Sequence, residues 1–378
     1  MKVAIVCDWL VTYAGAERVL EEMLHVFPEA DVFAVVDFLP EKERAFLGGK
    51  VPQTTFLQSF PGARRYYRTL LPLMPLAIEQ LDVTGYDLVL SSSHAVAKGV
   101  LTGPDQLHLS YVHSPMRYAW DLTHAYLRES GMDHGAKGWF ARIALHYLRL
   151  WDVRTANGVD GFLANSHFIA RRVYKCYHRR AQILYPPVAV GHFPFVREKG
   201  DYYLTASRLV PYKKVRLLAE AFAKMPERTL VIIGDGPEMA GVRRAAGENV
   251  RVLGYQSDAV LARYLSGAKA FLYAAEEDFG ILPVEAQACG TPVIAYGRGG
   301  LLDTVRPLSG AQPTGLFFAE QTTDAVRAAV ERFEREGSVI RPEDCRANAE
   351  RFRPEVFRAG LRSAVARMFA RKEREMYR

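Results

Sequence analysis

The stretch Ala270-Phe271-Leu272-Tyr273-Ala274-Ala275-Glu276-Glu277-Asp278-Phe279-Gly280-Ile281-Leu282-Pro283-Val284-Glu285-Ala286-Gln287-Ala288-Cys289-Gly290-Thr291-Pro292-Val293-Ile294-Ala295 reads as strand, glycine turn, helix and strand. The apolar run 270–274 has strand length, and Gly280 punctuates it. Pro283 falls in the first helical turn, where a missing N–H costs nothing. A strand that feeds a crossover helix and then another strand is the repeating unit of a parallel sheet wrapped by helices.

The same alternation extends to both ends of the chain. In the second half strands are expected near 202–206, 229–233, 250–253, 270–274 and 292–295, and in the first half near 3–7, 31–36, 87–91, 108–112 and 161–164. A helix opens at Gly15-Ala16-Glu17, with Val19, Leu20, Met23, Leu24 and Phe27 on one face. Tyr185-Pro186-Pro187-Val188 and the polar residues up to Asp201 interrupt the pattern and form the expected linker. At 378 residues the chain exceeds what one core usually holds, so two α/β domains are expected. They are placed at 1–190 and 197–354, with a basic amphipathic helix over 354–378 whose apolar side is Val356, Phe357, Leu361, Val365, Met368 and Phe369.

Composition excludes several classes. Hydrophobic residues at 49% and charged residues at 24% describe a globular chain, not a disordered one. Cys7, Cys176, Cys289 and Cys345 have neither disulfide nor zinc spacing, which fits a reducing cytoplasm. The N-terminal apolar run reads as a strand and not a signal peptide, and no window is apolar enough to span a membrane. A net charge of +7 favours anionic partners, but the basic residues are dispersed and no nucleic-acid motif appears.

Within the opening stretch, the amides around Phe279, Gly280 and Ile281 point out of a helix start, a natural seat for phosphate and sugar oxygens. Glu277 and Glu285 flank the turn as E-x7-E. Two carboxylates about a phosphate site suit a molecule with a diphosphate between two polyols, one carboxylate on the sugar and the other on the ribose. In Ser207-Arg208-Leu209-Val210-Pro211-Tyr212-Lys213-Lys214, Arg208 and Lys213 are two cations at a strand end that can meet a diphosphate. Gly234-Asp235-Gly236-Pro237 is another strand-to-helix glycine turn, and Val252-Leu253-Gly254-Tyr255 offers backbone to a base edge. No D-x-D metal motif stands out, so no metal or other cofactor is expected.

These residues resemble the C-terminal domain of family 4 glycosyltransferases of the GT-B fold, and the resemblance extends over nearly the whole chain. It implies two Rossmann-like domains facing across a cleft, with the C-terminal helix crossing back to the first. Ala14-Gly15-Ala16-Glu17 stands where that family has G-G-x-E, with Ala14 replacing the first glycine and Gly15 keeping the close backbone approach. His113, in Tyr111-Val112-His113-Ser114-Pro115, occupies the position of a histidine that faces the donor sugar. Arg117, Tyr118 and Trp120 then line the acceptor side or pack the core, and His94 is a weaker candidate of the same kind as His113. The resemblance further implies retention of anomeric configuration by a front-face reaction, with Glu277 orienting the sugar.

The wording of the main block is closest to bacterial mannosyltransferases of O-antigen and exopolysaccharide synthesis that use GDP-mannose, although no residue reads guanine over uracil. A GT-B nucleotide-sugar epimerase and a non-catalytic sugar-nucleotide-binding protein are the alternatives. Between Phe60 and Leu81, Arg64, Arg65 and Arg68 stand beside Tyr66, Tyr67 and several leucines, a composition suited equally to an anionic membrane interface or to a core helix with solvated arginines. On the first option the acceptor is a glycan or a polyprenyl-diphosphate-linked glycan, and the protein is cytoplasmic and peripheral on the inner membrane.

Overall fold

The computed structural model describes residues 1–376; the last two positions of the expected 354–378 helix lie outside the described residues. The chain forms two compact units, one of Met1–Pro187 together with the chain from Phe357 onward, the other of Val188–Val356.

The first unit contains β1 (Val3–Cys7), β2 (Asp31–Ala34), β3 (Gln53–Thr54), β4 (Leu88–Ser93), β5 (Leu107–Val112), β6 (Gly161–Ala164) and β7 (Ala181–Ile183). They make one sheet in the order β3-β2-β1-β4-β5-β6-β7, parallel at each pairing. All five residues of β1 are buried, the continuous apolar run of a strand covered on both faces. Val3, Ile5 and Cys7 enter the core that also holds Phe357, Leu361 and Val365, whereas Ala4 and Val6 enter the one containing Met74, Leu148 and Trp151. The C-terminal helix Pro354–Met376 is thus part of this unit's core, its Phe357 ring 5.7 Å from that of Tyr111. Val356 departs from the expected apolar side and is exposed, because the helix turns only Phe357, Leu361, Ala364 and Val365 fully inward.

In the second unit β8 (Tyr202–Ala206), β9 (Thr229–Ile233), β10 (Val250–Gly254), β11 (Ala270–Tyr273), β12 (Val293–Tyr296) and β13 (Gly315–Phe318) pair in the order β10-β9-β8-β11-β12-β13, again all parallel. The order reverses between β8 and β11, the point at which open α/β sheets bind ligands beyond the strand ends.

Three strands escaped the sequence reading. β3 has two residues and β7 three, too few for periodicity to register. β13 follows a Gly- and Pro-rich stretch that reads as loop. Strand 31–36 stops early at Ala34, because the Val35 amide leaves the ladder to bond the Asp8 carbonyl at 3.0 Å. The expected linker is also less open than its composition suggests. Pro186, Pro187 and Val188 are buried, and within the second unit the Val188 amide donates to Phe352 O at 2.7 Å.

Candidate functional site

At the carboxyl edge of the second sheet, the loops after β8, β9 and β11 are built against one another. Gly234 (φ +137°) follows β9 and lies so close to the loop after β8 that a Cβ there would meet the Ser207 carbonyl oxygen at 1.8 Å. Its amide donates to Gly254 O at 2.9 Å, and the Leu209 amide donates to Asp235 O at 2.9 Å. The G-D-G turn therefore acts first as a clamp on the segment that carries Arg208 and Lys213. Gly254 (φ +74°) ends β10 in open space, with Tyr255 exposed beside it.

Lys213 and Glu277 come together. Lys213 Nζ donates to Glu277 Oε1 at 2.5 Å and to the Tyr273 hydroxyl at 2.9 Å. Both ion-pair side chains are 15% exposed, so the pair is screened far less than one on the surface. Burial favours loss of the Lys213 proton, but the neighbouring Tyr273 and Glu277 oxygens outweigh it and hold the ammonium well above its ordinary value. Burial likewise pushes the Tyr273 phenol up. An ammonium has three donors, so this geometry leaves one for a ligand. The expected free diphosphate-binding cation is thus first a partner of Glu277. Arg208 is exposed, and no side chain among the described residues pairs with its guanidinium.

Gly280 (φ +89°) precedes the helix Ile281–Ala288, supplying the left-handed turn after β11. The first-turn amides of that helix have no intrahelical partner. Its other end is fixed by a buried network in which Gln287 Nε2 donates to Pro283 O and Thr304 O while Asn348 Nδ2 donates to Gln287 Oε1 at 2.7 Å. The Phe279 side chain is buried, packed edge-on against Phe352, which leaves only its backbone for a ligand. Glu285 is buried inside the helix. The loop after β12 supports Glu277: the Gly300 amide donates to Glu277 O at 2.7 Å, and a Cβ on Gly299 would meet that oxygen at 2.3 Å.

At the carboxyl edge of the first sheet, Asp8, His94 and His113 each follow directly on a strand, β1, β4 and β5. Asp8 is buried and accepts from the amides of His94, Ala95, Val96 and Ala97 as well as from His94 Nδ1 at 2.9 Å. Burial works against its charge, but His94 and these amides prevail and hold its carboxyl down at about 2. Burial disfavours the His94 cation too, and the Asp8 carboxylate reverses this and raises its pKa. His113 contacts Ser92 Oγ through Nε2 at 2.8 Å, and its pKa falls to about 3 through burial and the adjacent His94 charge. A neutral imidazole facing hydroxyl groups can donate or accept. Gly15 begins the helix Gly15–Val26, where Glu17 closes the N-terminus by accepting from the Ala14 amide at 3.0 Å.

The weaker candidates separate. Trp120 donates to buried Asp152 at 2.8 Å and serves packing, whereas Arg117 and Tyr118 are half-buried. Arg64 and Arg65 are exposed on the short helix Ala63–Tyr66 and Arg68 on the 3-10 segment Tyr67–Leu73 that follows it; Pro72 lies within that segment and Pro75 in the first turn of the next helix, Met74–Ile78. Asp8, Tyr273 and Gly299 were missed by the sequence reading. Asp8 alone carried a signal, as an acid directly after a buried strand.

The histidines set an acid limit on stability. His108, buried between β4 and β5 against Ser91, has its pKa lowered to about 4 by burial. Folded His108 and His113 stay neutral while the unfolded chain takes up protons below about 6.5, so stability is expected to fall with pH from there by up to about 1.4 kcal/mol per pH unit for each. His94 has the opposite sign, but its contribution is already complete below its unfolded value and adds no slope. Melting temperatures between pH 7 and pH 4.5 check this: His108→Asn should show a shallower fall than the parent, and parallel curves would contradict it.

Residues 193–352 match the family described as Glycosyl transferases group 1. A GDP-mannose-dependent monoacylated alpha-(1-6)-phosphatidylinositol monomannoside mannosyltransferase of Corynebacterium glutamicum is 35% identical over 119 residues, 28% of this chain and 31% of that one. A D-inositol 3-phosphate glycosyltransferase of Nocardioides sp. is 28% identical over 217 residues, 47% of each chain. The aligned part is under half the length of both relatives. Among solved structures, sucrose-phosphate synthase from Thermosynechococcus elongatus superposes with a TM-score of 0.74 at 17% identity, covering 98% of this chain and 100% of that one. Anabaena HepE in complex with UDP does so with a TM-score of 0.65 at 16% identity, covering 97% and 100%. Residues 193–352 thus match the group 1 glycosyltransferase family, and the two Rossmann-like parallel sheets of the chain are those of the GT-B fold.

Proposed function

We propose that the protein is a retaining family 4 glycosyltransferase that binds a nucleotide-diphosphate sugar at the carboxyl edge of its second sheet. The observation that carries this is the Lys213–Glu277–Tyr273 cluster beside the Gly280 turn, which puts a held carboxylate and a cation next to a helix start. Glu277 accepts from sugar hydroxyls, the amides at Phe279, Gly280 and Ile281 take phosphate oxygens, and Glu285 serves the ribose side. Gly254 and Tyr255 border the base, and Gly15 and His113 act on the phosphate and on a sugar hydroxyl. Negative charge builds on the leaving diphosphate, and Arg208 with the remaining Lys213 donor meets it in the place a metal ion would otherwise take.

The donor we favour is GDP-mannose, the donor on which the Corynebacterium relative depends by name. The acceptor is a glycan or a polyprenyl-diphosphate-linked glycan of bacterial surface polysaccharide, reached by peripheral contact with an anionic membrane. Among the described residues no helix is long and apolar enough to cross a membrane.

The test is to incubate purified protein with a panel of nucleotide-diphosphate sugars and follow release of free nucleotide. Slow hydrolysis of GDP-mannose in preference to the UDP-sugars is expected; no turnover or binding of any donor would overturn the assignment. Arg208→Ala is expected to lower the rate about 100-fold, the scale seen when one stabilising donor is removed from an anionic transition state. An unchanged rate would place the diphosphate elsewhere.

A further inference from the structure

The helix Gly135–Thr155 is apolar on two opposite faces. One packs into the first unit's core through Leu148 and Trp151. The other carries Trp139, Phe140, Ile143, Tyr147 and Leu150, spaced so that they form one continuous ridge about 16 Å long at 1.5 Å per residue. Trp139 is 61% exposed, Phe140 65% and Leu150 61%. A helix that is apolar all round is ordinarily covered all round. Five large side chains left bare on one line is more than the scattered surface leucine of a normal monomer.

Charge on the helix decides what covers the ridge. Lys137, Arg142 and Arg154 are exposed, while its one acid, Asp152, is buried and bound to Lys98 and Trp120. Glu79, after the neighbouring helix Met74–Ile78, accepts from Trp151 Nε1 and pairs with Arg154, which ties that short helix, with its exposed Leu76, to this one. A second copy laid on the ridge would set its cations against their own images with no exposed acid of the helix to answer them. A row of Trp, Phe, Ile, Tyr and Leu flanked by cations matches instead an anionic lipid interface, where aromatic rings sit at headgroup depth and the long cations reach phosphate.

We infer that this ridge is a lipid-docking surface by which the first unit lies on an anionic bilayer. The inference deepens the membrane contact proposed above by naming the element that enters the lipid. Binding is measured without donor, so it stands or falls separately from glycosyl transfer.

The experiment is co-sedimentation of the full chain with vesicles of phosphatidylglycerol and phosphatidylcholine, and with phosphatidylcholine alone, at low salt. Wild type is expected to pellet with the anionic vesicles, and Trp139→Ser/Phe140→Ser/Leu150→Ser to lose roughly ten-fold or more of that partitioning. Trp139 is the one tryptophan of the four that is exposed, so its emission should shift to the blue on binding. That shift should vanish in Trp139→Phe, which still pellets. All three changes are at exposed positions, and an unaltered melting temperature confirms that the fold is kept. Equal pelleting of wild type and the triple variant would overturn the inference. So would loss of binding only in Arg64→Glu/Arg65→Glu/Arg68→Glu, which would assign the contact to that segment alone. A wild-type dimer that fails to bind vesicles and is broken by the triple variant would give the ridge to a second copy and also overturn it.

Discussion

Glu277→Ala is expected to reduce turnover of the nucleotide-sugar donor by about 100-fold or more, because misplacing the reacting sugar by roughly 1 Å is enough to cost that much. Two losses combine. The sugar loses an acceptor, and Lys213 Nζ keeps only the Tyr273 hydroxyl while remaining mostly out of water. Lys213→Ala has the complementary defect: it frees the Glu277 carboxylate from the ammonium that fixes it. Since each residue holds the other, Glu277→Ala/Lys213→Ala should fall well short of the product of the two single effects. Steady-state kinetics on the three variants checks this. Near-wild-type turnover by Glu277→Ala would remove the carboxylate from the reaction, and strict multiplicativity would mean that the ion pair has no part in it.

The largest effect on stability is expected from Gly234→Ala. A methyl group there must occupy the space of the Ser207 carbonyl oxygen, 1.8 Å away, at a φ of +137° that L-residues rarely adopt. Backbone is opposed to backbone, so no side-chain rotation can relieve the contact. A cost of about 3 kcal/mol or more follows from the strain and from separation of the two loops. Gly191→Ala is the control, because nothing lies within 4 Å of its added carbon; its effect should stay within about 0.5 kcal/mol. All four tryptophans lie in the first unit, so urea unfolding should be followed by far-ultraviolet circular dichroism. Equal midpoints for the two variants would show that the loops yield easily. Loss of donor binding in Gly234→Ala would then be secondary to the displaced Arg208 and Lys213 segment, since the Gly234 amide is already bonded to Gly254 O.

By itself the sequence determined the class of the fold and the strand–turn–helix form of the E-x7-E block. Buried parallel strands are runs such as Val3 to Cys7 and Thr229 to Ile233, and their spacing by helix-length segments follows from the crossover each parallel pair needs. The glycine turn at Gly280 and the first-turn proline were legible for the same reason: both are local backbone requirements. Tertiary structure alone decided which groups meet. The Lys213–Glu277 pair joins positions 64 residues apart, and Asp8 reaches His94 across 86. No periodicity encodes such encounters; they arise because neighbouring parallel strands deliver their carboxyl ends to one edge. The second apolar face of the helix 135–155 was hidden for a related reason. Its sequence shows apolar residues almost all round, and only the packing of Leu148 and Trp151 reveals which of them remain without a partner.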